Sequence, residues 1–184
     1  QLDPNKSLDE LDDLPENIDG LVYCPGTINL RSLQRLTLED IKNEMEVNFY
    51  GAFNIIKKVL PNLKKNDGAS VVLFSTVAVK TGMPMHSSIA AAKGALEGLA
   101  KSLAAELAPR VAINCVAPSI VDTKLAANIL STDERKQASA DRHPLKTIGS
   151  INSIANSAYF LLQAKENWIS GQIFRPDGGL SALK

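Results

Sequence analysis

Two cysteines are the whole thiol complement of this 184-residue chain, and Cys24 and Cys115 have none of the spacing of a metal-binding pair. Both sit in apolar runs, so they are expected to be buried free thiols of a reducing compartment. A charge excess is also lacking: 20 basic side chains face 20 acidic ones. Without a basic field to displace counterions from phosphates, a general nucleic-acid binder is excluded. Lys, Asp, Glu or Asn interrupts every apolar stretch before the roughly 18 residues that a membrane span needs. There is no secretory signal, internal repeat or low-complexity tract, and the first residue is Gln1 rather than Met. The expectation is a soluble cytoplasmic chain that binds no metal, no membrane and no nucleic acid, and that has lost its natural start. What the chain does have is apolar bulk. At 45% of residues it rules out global disorder, and the length suits one domain with a real core.

That bulk is divided into short runs. Gly20-Leu21-Val22-Tyr23-Cys24, Ser70-Val71-Val72-Leu73-Phe74-Ser75, Val111-Ala112-Ile113-Asn114-Cys115-Val116 and Gln172-Ile173-Phe174 are rich in Val and Ile and barely alternate. This is the pattern of strands buried on both faces. Helical patterns lie between them. Ser7 with Glu10, Thr37 with Asp40 and Ser131 with Glu134 each read as a capping box. The Thr37 helix carries Ile41, Met45, Phe49, Phe53, Ile56 and Leu60 and is expected to stop near Pro61. The helix after His86 carries Leu96, Leu99, Leu103 and Leu107 and ends at Pro109. Alternation of strand and helix, with a right-handed crossover at each step, predicts an α/β fold with a doubly wound, Rossmann-like parallel sheet. Ligands of such sheets bind beyond the carboxyl ends of the strands, here Cys24-Pro25-Gly26, Ser75-Thr76, Ala117-Pro118-Ser119 and Arg175-Pro176-Asp177.

Segments in that order resemble the short-chain dehydrogenase/reductase family over nearly the whole chain, from Leu21 to Gly179. Leu21 to Gly26 stands where the family has an Asn-Asn-Ala-Gly turn. Glu46-Val47-Asn48-Phe49-Tyr50-Gly51 resembles the segment with the catalytic Asn, Val72-Leu73-Phe74-Ser75-Thr76 the strand end with the catalytic Ser, and Ala91-Ala92-Lys93-Gly94-Ala95 the helix with the catalytic Lys. The segment from Asn114 to Thr123 resembles the loop over the nicotinamide, and His143-Pro144-Leu145, Ile148-Gly149, Ser170-Gly171-Gln172 and Asp177-Gly178-Gly179 complete the pattern. The resemblance implies hydride transfer between NADP or NAD and a small-molecule carbonyl, alcohol or activated double bond. It assigns Asn48, Ser75 and Lys93 to catalysis. It assigns Asp3, Gly26, Lys93, Pro118, Val121 and Thr123 to the cofactor. Residues 124–147, polar and with few core anchors, are expected to form a mobile lid over the substrate. The resemblance also implies a homotetramer or homodimer built through the Thr37 and His86 helices.

Two departures stand out. The family's proton-transferring Tyr lies four residues before its Lys, on the same helix face. Here that position is Ile89, which cannot transfer a proton. General acid–base help is worth about 10²–10⁴ in rate, so the centre is atypical, and the alternative is an inactive relative that binds nucleotide or forms oligomers. The second departure is the absence of a Gly-rich phosphate-binding turn. Gln1-Leu2-Asp3 resembles the end of the family's third strand, so the chain is expected to lack a preceding βαβ portion of roughly 30 residues or more. Gly20 to Cys24 would then be an exposed sheet edge.

Overall fold

A computed structural model describes residues 14–183. Asp3 and the Ser7 capping box lie outside the described residues. Four parallel strands, β1 (Gly20–Tyr23), β2 (Ala69–Phe74), β3 (Val111–Val116) and β4 (Ile173–Phe174), stand side by side in chain order. Between β1 and β2 run α1 (Leu38–Met45), a wide π turn over Glu46–Tyr50 and α2 (Gly51–Leu63). Short α3 (Ala78–Thr81) and long α4 (Ser87–Leu107) precede β3, and α5 (Asp133–Asp141), α6 (Ile151–Leu162) and α7 (Ala164–Asn167) precede β4.

The lack of alternation in β2 has its cause here. Val71 and Leu73 join a core with Ile56 and Leu63 of α2 and Leu96, Ala100, Ala104 and Leu107 of α4. Val72, pointing the other way, joins Ile154, Ala158 and Leu161 of α6. Both faces of the strand are therefore covered. The steps from β2 to β3 through α4 and from β3 to β4 through α6 go the same way across the sheet but over opposite faces. They have opposite hands, so the uniform right-handed winding expected from the sequence fails at the last step. The long excursion of residues 117–150 before α6 frees that connection from the short-crossover geometry behind the rule.

Three local expectations are corrected as well. Thr37 and Asp40 do form the reciprocal capping box of α1, but Pro61 does not end the next helix. It lies inside α2, which continues to the fully buried Leu63. Thr132 rather than Ser131 caps α5, accepting from the Arg135 amide, while the Ser131 hydroxyl accepts from the Arg135 guanidinium. Cys24 falls just past the end of β1 and is exposed; only Cys115 is a buried thiol.

Candidate active site at the carboxyl ends of the strands

Asn48 lies at the middle of the π turn, a wide turn that recurs at functional sites. The Tyr23 hydroxyl at the end of β1 donates to the Val47 carbonyl at 2.8 Å, and Gly51 gives that phenol room, since a Cβ there would collide with it. Asn48 itself is fully buried. Its Nδ2 donates to Thr27 Oγ1, to the Glu44 carbonyl and to Glu44 Oε2, each at 2.9 Å. Its Oδ1 accepts from the Thr27 amide at 3.4 Å. Across from it α4 delivers Lys93, buried with 6% of its surface exposed. A Cβ on Gly26 would stand 3.3 Å from Asn48 Oδ1 and 3.8 Å from Lys93 Nζ. Gly26, Asn48 and Lys93, three residues far apart in sequence, thus share one small gap at the rim of the sheet.

The electrostatics of this gap follow from burial. Desolvation pulls the Lys93 ammonium down to about 8, while Glu44, Cys115 and Cys24, in that order, push back up. Glu44 is moved the other way, raised above the ordinary carboxylate value by burial, with Thr27, Asn29, Lys93 and Asn48 opposing. No phenol completes the group. Ile89 is buried one turn before Lys93 on α4. Tyr23 has its hydroxyl committed to Val47, and burial and then the Glu46 charge raise its pKa. Tyr50 and Tyr159 are exposed. The Ser88 hydroxyl donates to the Asn29 carbonyl at 3.4 Å.

Ser75 stands apart from this gap in its bonding. Its hydroxyl donates to the buried Glu97 carboxylate of α4 at 2.6 Å, and Glu97 in turn lies 3.9 Å from the Arg175 guanidinium past the end of β4. Ser75 follows Val71 and Leu73 on the α4 side of the sheet, where its hydroxyl meets Glu97, one turn after Lys93 on that helix. The next residue, Thr76, is half-buried, and its Oγ1 accepts from the Ala78 amide.

The loop after β3 is pinned rather than free. The Pro118 carbonyl accepts from the Val77 amide, Val121 pairs with Gly149, and Gly149 accepts from the Asp122 amide while donating to the Ile120 carbonyl. Thr123 leads into a short 3₁₀ turn over Lys124–Ala126. His143 is buried, with Nδ1 2.7 Å from the Ser139 carbonyl and Nε2 2.8 Å from Ser119 Oγ. A carbonyl only accepts, so in the neutral ring Nδ1 donates and Nε2 accepts from Ser119. Ala126, Leu130, Ser139 and His143 are all buried. The segment 124–147 therefore has more anchors than its polar sequence suggests. Asp177 is a structural turn residue whose two oxygens accept from the Gly179 and Ser181 amides. Among the described residues no cluster of His, Cys, Asp and Glu could hold a metal, and no helix is long and apolar enough to cross a membrane.

Glu44 is the residue that sequence reasoning passes over. In Glu39-Asp40-Ile41-Lys42-Asn43-Glu44 it reads as part of a solvated face. The available signal was its i, i+4 spacing from Asn48, which places both on one side of the helix.

Comparison with known proteins gives the chain a family and structural neighbours. Residues 4–181 match the family described as enoyl-(acyl carrier protein) reductase. The chain is 33% identical over 177 residues to a 3-oxoacyl-(acyl-carrier-protein) reductase of Aquifex aeolicus, covering 96% of this chain and 71% of that one. It is 32% identical over 162 residues to a tropinone reductase homolog of Arabidopsis thaliana, covering 88% of this chain and 62% of the relative's length. Among solved structures it is similar to a gluconate 5-dehydrogenase from Burkholderia cenocepacia in complex with NADP and tartrate. There the TM-score is 0.87 at 26% identity, covering 96% of this chain and 69% of that one.

Proposed function

Because this chain belongs to the short-chain dehydrogenase/reductase family, we propose that it carries the centre of an NAD(P)-dependent oxidoreductase with an atypical proton donor. The substrate class would be a small carbonyl compound, its alcohol, or an activated double bond. The observation that supports this most is the convergence of Gly26, Asn48 and Lys93 on one gap beyond the strand ends. A missing Cβ opens the gap, and a buried ammonium and an amide oxygen border it, which fits the ribose and nicotinamide end of the cofactor. Bound there, the nicotinamide would supply or accept a hydride. Lys93 would hold the ribose hydroxyls and, with Ile89 offering no phenol, would be the group that passes a proton to the substrate oxygen from Nζ. Pro118, Val121 and Thr123 would line the cofactor from the rim loop, and Asp3 would contact it from the preceding segment. Ser75 would orient the substrate oxygen only on leaving Glu97. Residues 124–147 would cover the substrate. The buried Ile89 favours one other reading, a relative that keeps the nucleotide site and has lost turnover.

One set of measurements on the full chain tests both. NADPH or NADH binding is followed by fluorescence and turnover over a panel of carbonyl compounds, with wild type and Ile89→Tyr. In parallel, alkylation of Cys24, whose backbone borders the same gap, is timed with and without nucleotide. Cys115 stays silent throughout, because burial pushes its thiol up to about 12. Bound nucleotide is expected to slow Cys24 alkylation, with measurable wild-type turnover. Binding without wild-type turnover, but with turnover in Ile89→Tyr, would establish the inactive reading. No binding at all would sink both. We further propose a cytoplasmic homodimer or homotetramer through α1, α2 and α4, a face on which Tyr50 and Phe53 are exposed. Light scattering of the full chain should then give at least twice the monomer mass, and a monomer would overturn this.

A further inference from the structure

Glu44 is 2% exposed, and a carboxylate so placed needs a reason. Its Oε2 and its own backbone carbonyl both accept from Asn48 Nδ2, while Oε1 is buried without a hydrogen-bond partner among the described residues. No oxygen of Glu44 makes a direct ion pair with Lys93, so the two act on each other through space. Glu44 also borders an open cavity of about 400 Å³, with Thr27, Asn29, Asn43 and Val47. The amide of Asn48 is thereby settled by chemistry. A carboxylate and a carbonyl can only accept, so Nδ2 must face Glu44, and Oδ1 must face Gly26 and Lys93.

We propose that Glu44 is a positioning residue of this site: it turns the Asn48 carbonyl oxygen toward the Gly26–Lys93 gap and keeps Lys93 charged where Ile89 supplies no hydroxyl. The proposal rests on the oxidoreductase reading for its purpose, but its physical content does not depend on turnover. The charged and titratable groups around Lys93 are Glu44 from α1, Cys115 from β3 and Cys24 from the end of β1, and Glu44 has the largest effect among them. Cys115 is buried with its thiol pushed up to about 12, which leaves Glu44 as the only carboxyl group of that set. In the proposed reduction the substrate oxygen takes its proton from Nζ, whose N–H bond breaks and leaves the lone pair on nitrogen. The neutral amine then takes a proton from solvent, whose conjugate base is neutralised by the buffer, and the Glu44 carboxylate stabilises the ammonium that forms.

The test is Glu44→Gln, which keeps an acceptor for Asn48 and removes the charge. Lys93 is titrated by acetylation with acetic anhydride from pH 6 to 10, read by peptide mass spectrometry on the full chain without nucleotide. Loss of the carboxylate should lower the Lys93 midpoint by about one pH unit, so labelling at pH 7 rises about fivefold. Glu44→Asp should keep the midpoint near the wild-type value. An unchanged midpoint in Glu44→Gln overturns the proposal. Should Glu44→Gln fail to fold, reciprocity offers a second arm: in Lys93→Met the Glu44 carboxyl, followed by ¹³C NMR, must titrate higher than in wild type, and an unmoved carboxyl overturns the proposal equally. Nucleotide binding on the same samples separates the two ideas. A shifted Lys93 without any binding retires the oxidoreductase reading alone, and binding with an unmoved Lys93 retires the role of Glu44 alone.

Discussion

Replacing Lys93 with methionine is expected to make the fold more stable at pH 7 while weakening nucleotide binding at least tenfold and abolishing turnover. The side chains are similar in length, so the packing of α4 changes little. What changes is the charge. Lys93 titrates at about 8 in the folded chain against an ordinary 10.5. Between those values the unfolded chain binds more protons than the folded one, so wild-type stability rises with pH across that window. Below it, burying the ammonium costs about 3 kcal/mol. Methionine removes that cost, and part of the gain is offset because Glu44 loses its counter-charge and is pushed further up. The net is a gain of about 1–2 kcal/mol at pH 7, shrinking as pH rises through 8 toward 10.5. Urea unfolding at pH 7 and pH 10 measures it. Equal or lower stability for Lys93→Met at pH 7 would show that the ammonium is not held at a cost, and with that the physical case for Lys93 as a working residue weakens.

Lys93 and Asn48 were legible in the sequence through the family resemblance of their segments, and Asn48 also as a polar residue inside an apolar run, which needs a partner there. The strands were legible too, because Val71 and Leu73 on one face and Val72 on the other must all be covered. What could not be read is pairing across the chain. Ser75 faces Glu97, 22 residues on, and Ser119 faces His143, 24 residues on. Neither spacing follows a helical or strand period, so no local pattern announces it. Glu44 shows a different limit. A glutamate among Glu39, Asp40, Lys42 and Asn43 has the composition of a solvated face, and its burial comes from tertiary packing that the local pattern does not carry. Pro61 shows a third. A proline weakens a helix locally, but α2 gains more by carrying Leu63 into the core.

Three residues along α4 from Lys93, Leu96 should respond in the opposite sense. Leu96 is fully buried, in the same core as Val71, Leu73, Ile113 and Leu107. Leu96→Ala removes its apolar contacts and leaves a cavity between helix and sheet that neither element can close, because both are held by neighbours. The expected loss is about 3 kcal/mol, within the roughly 2–5 kcal/mol such truncations cost, and for a chain of this length the Tm falls by roughly 6–12 °C. Nucleotide affinity measured well below that Tm should change less than threefold, since Gly26, Asn48 and Glu44 are held by other elements. A large affinity loss with little change in Tm would mean that α4 moves as a lever rather than settling onto the sheet. The contrast between the two substitutions is the point of the geometry. One helix face is divided along its length into a half that stabilises the fold and a half that is held against it, and the boundary falls between Lys93 and Leu96, a single turn apart. Apolar burial at Leu96, Ala100, Ala104 and Leu107 supplies the stability that lets α4 hold a buried ammonium at the rim.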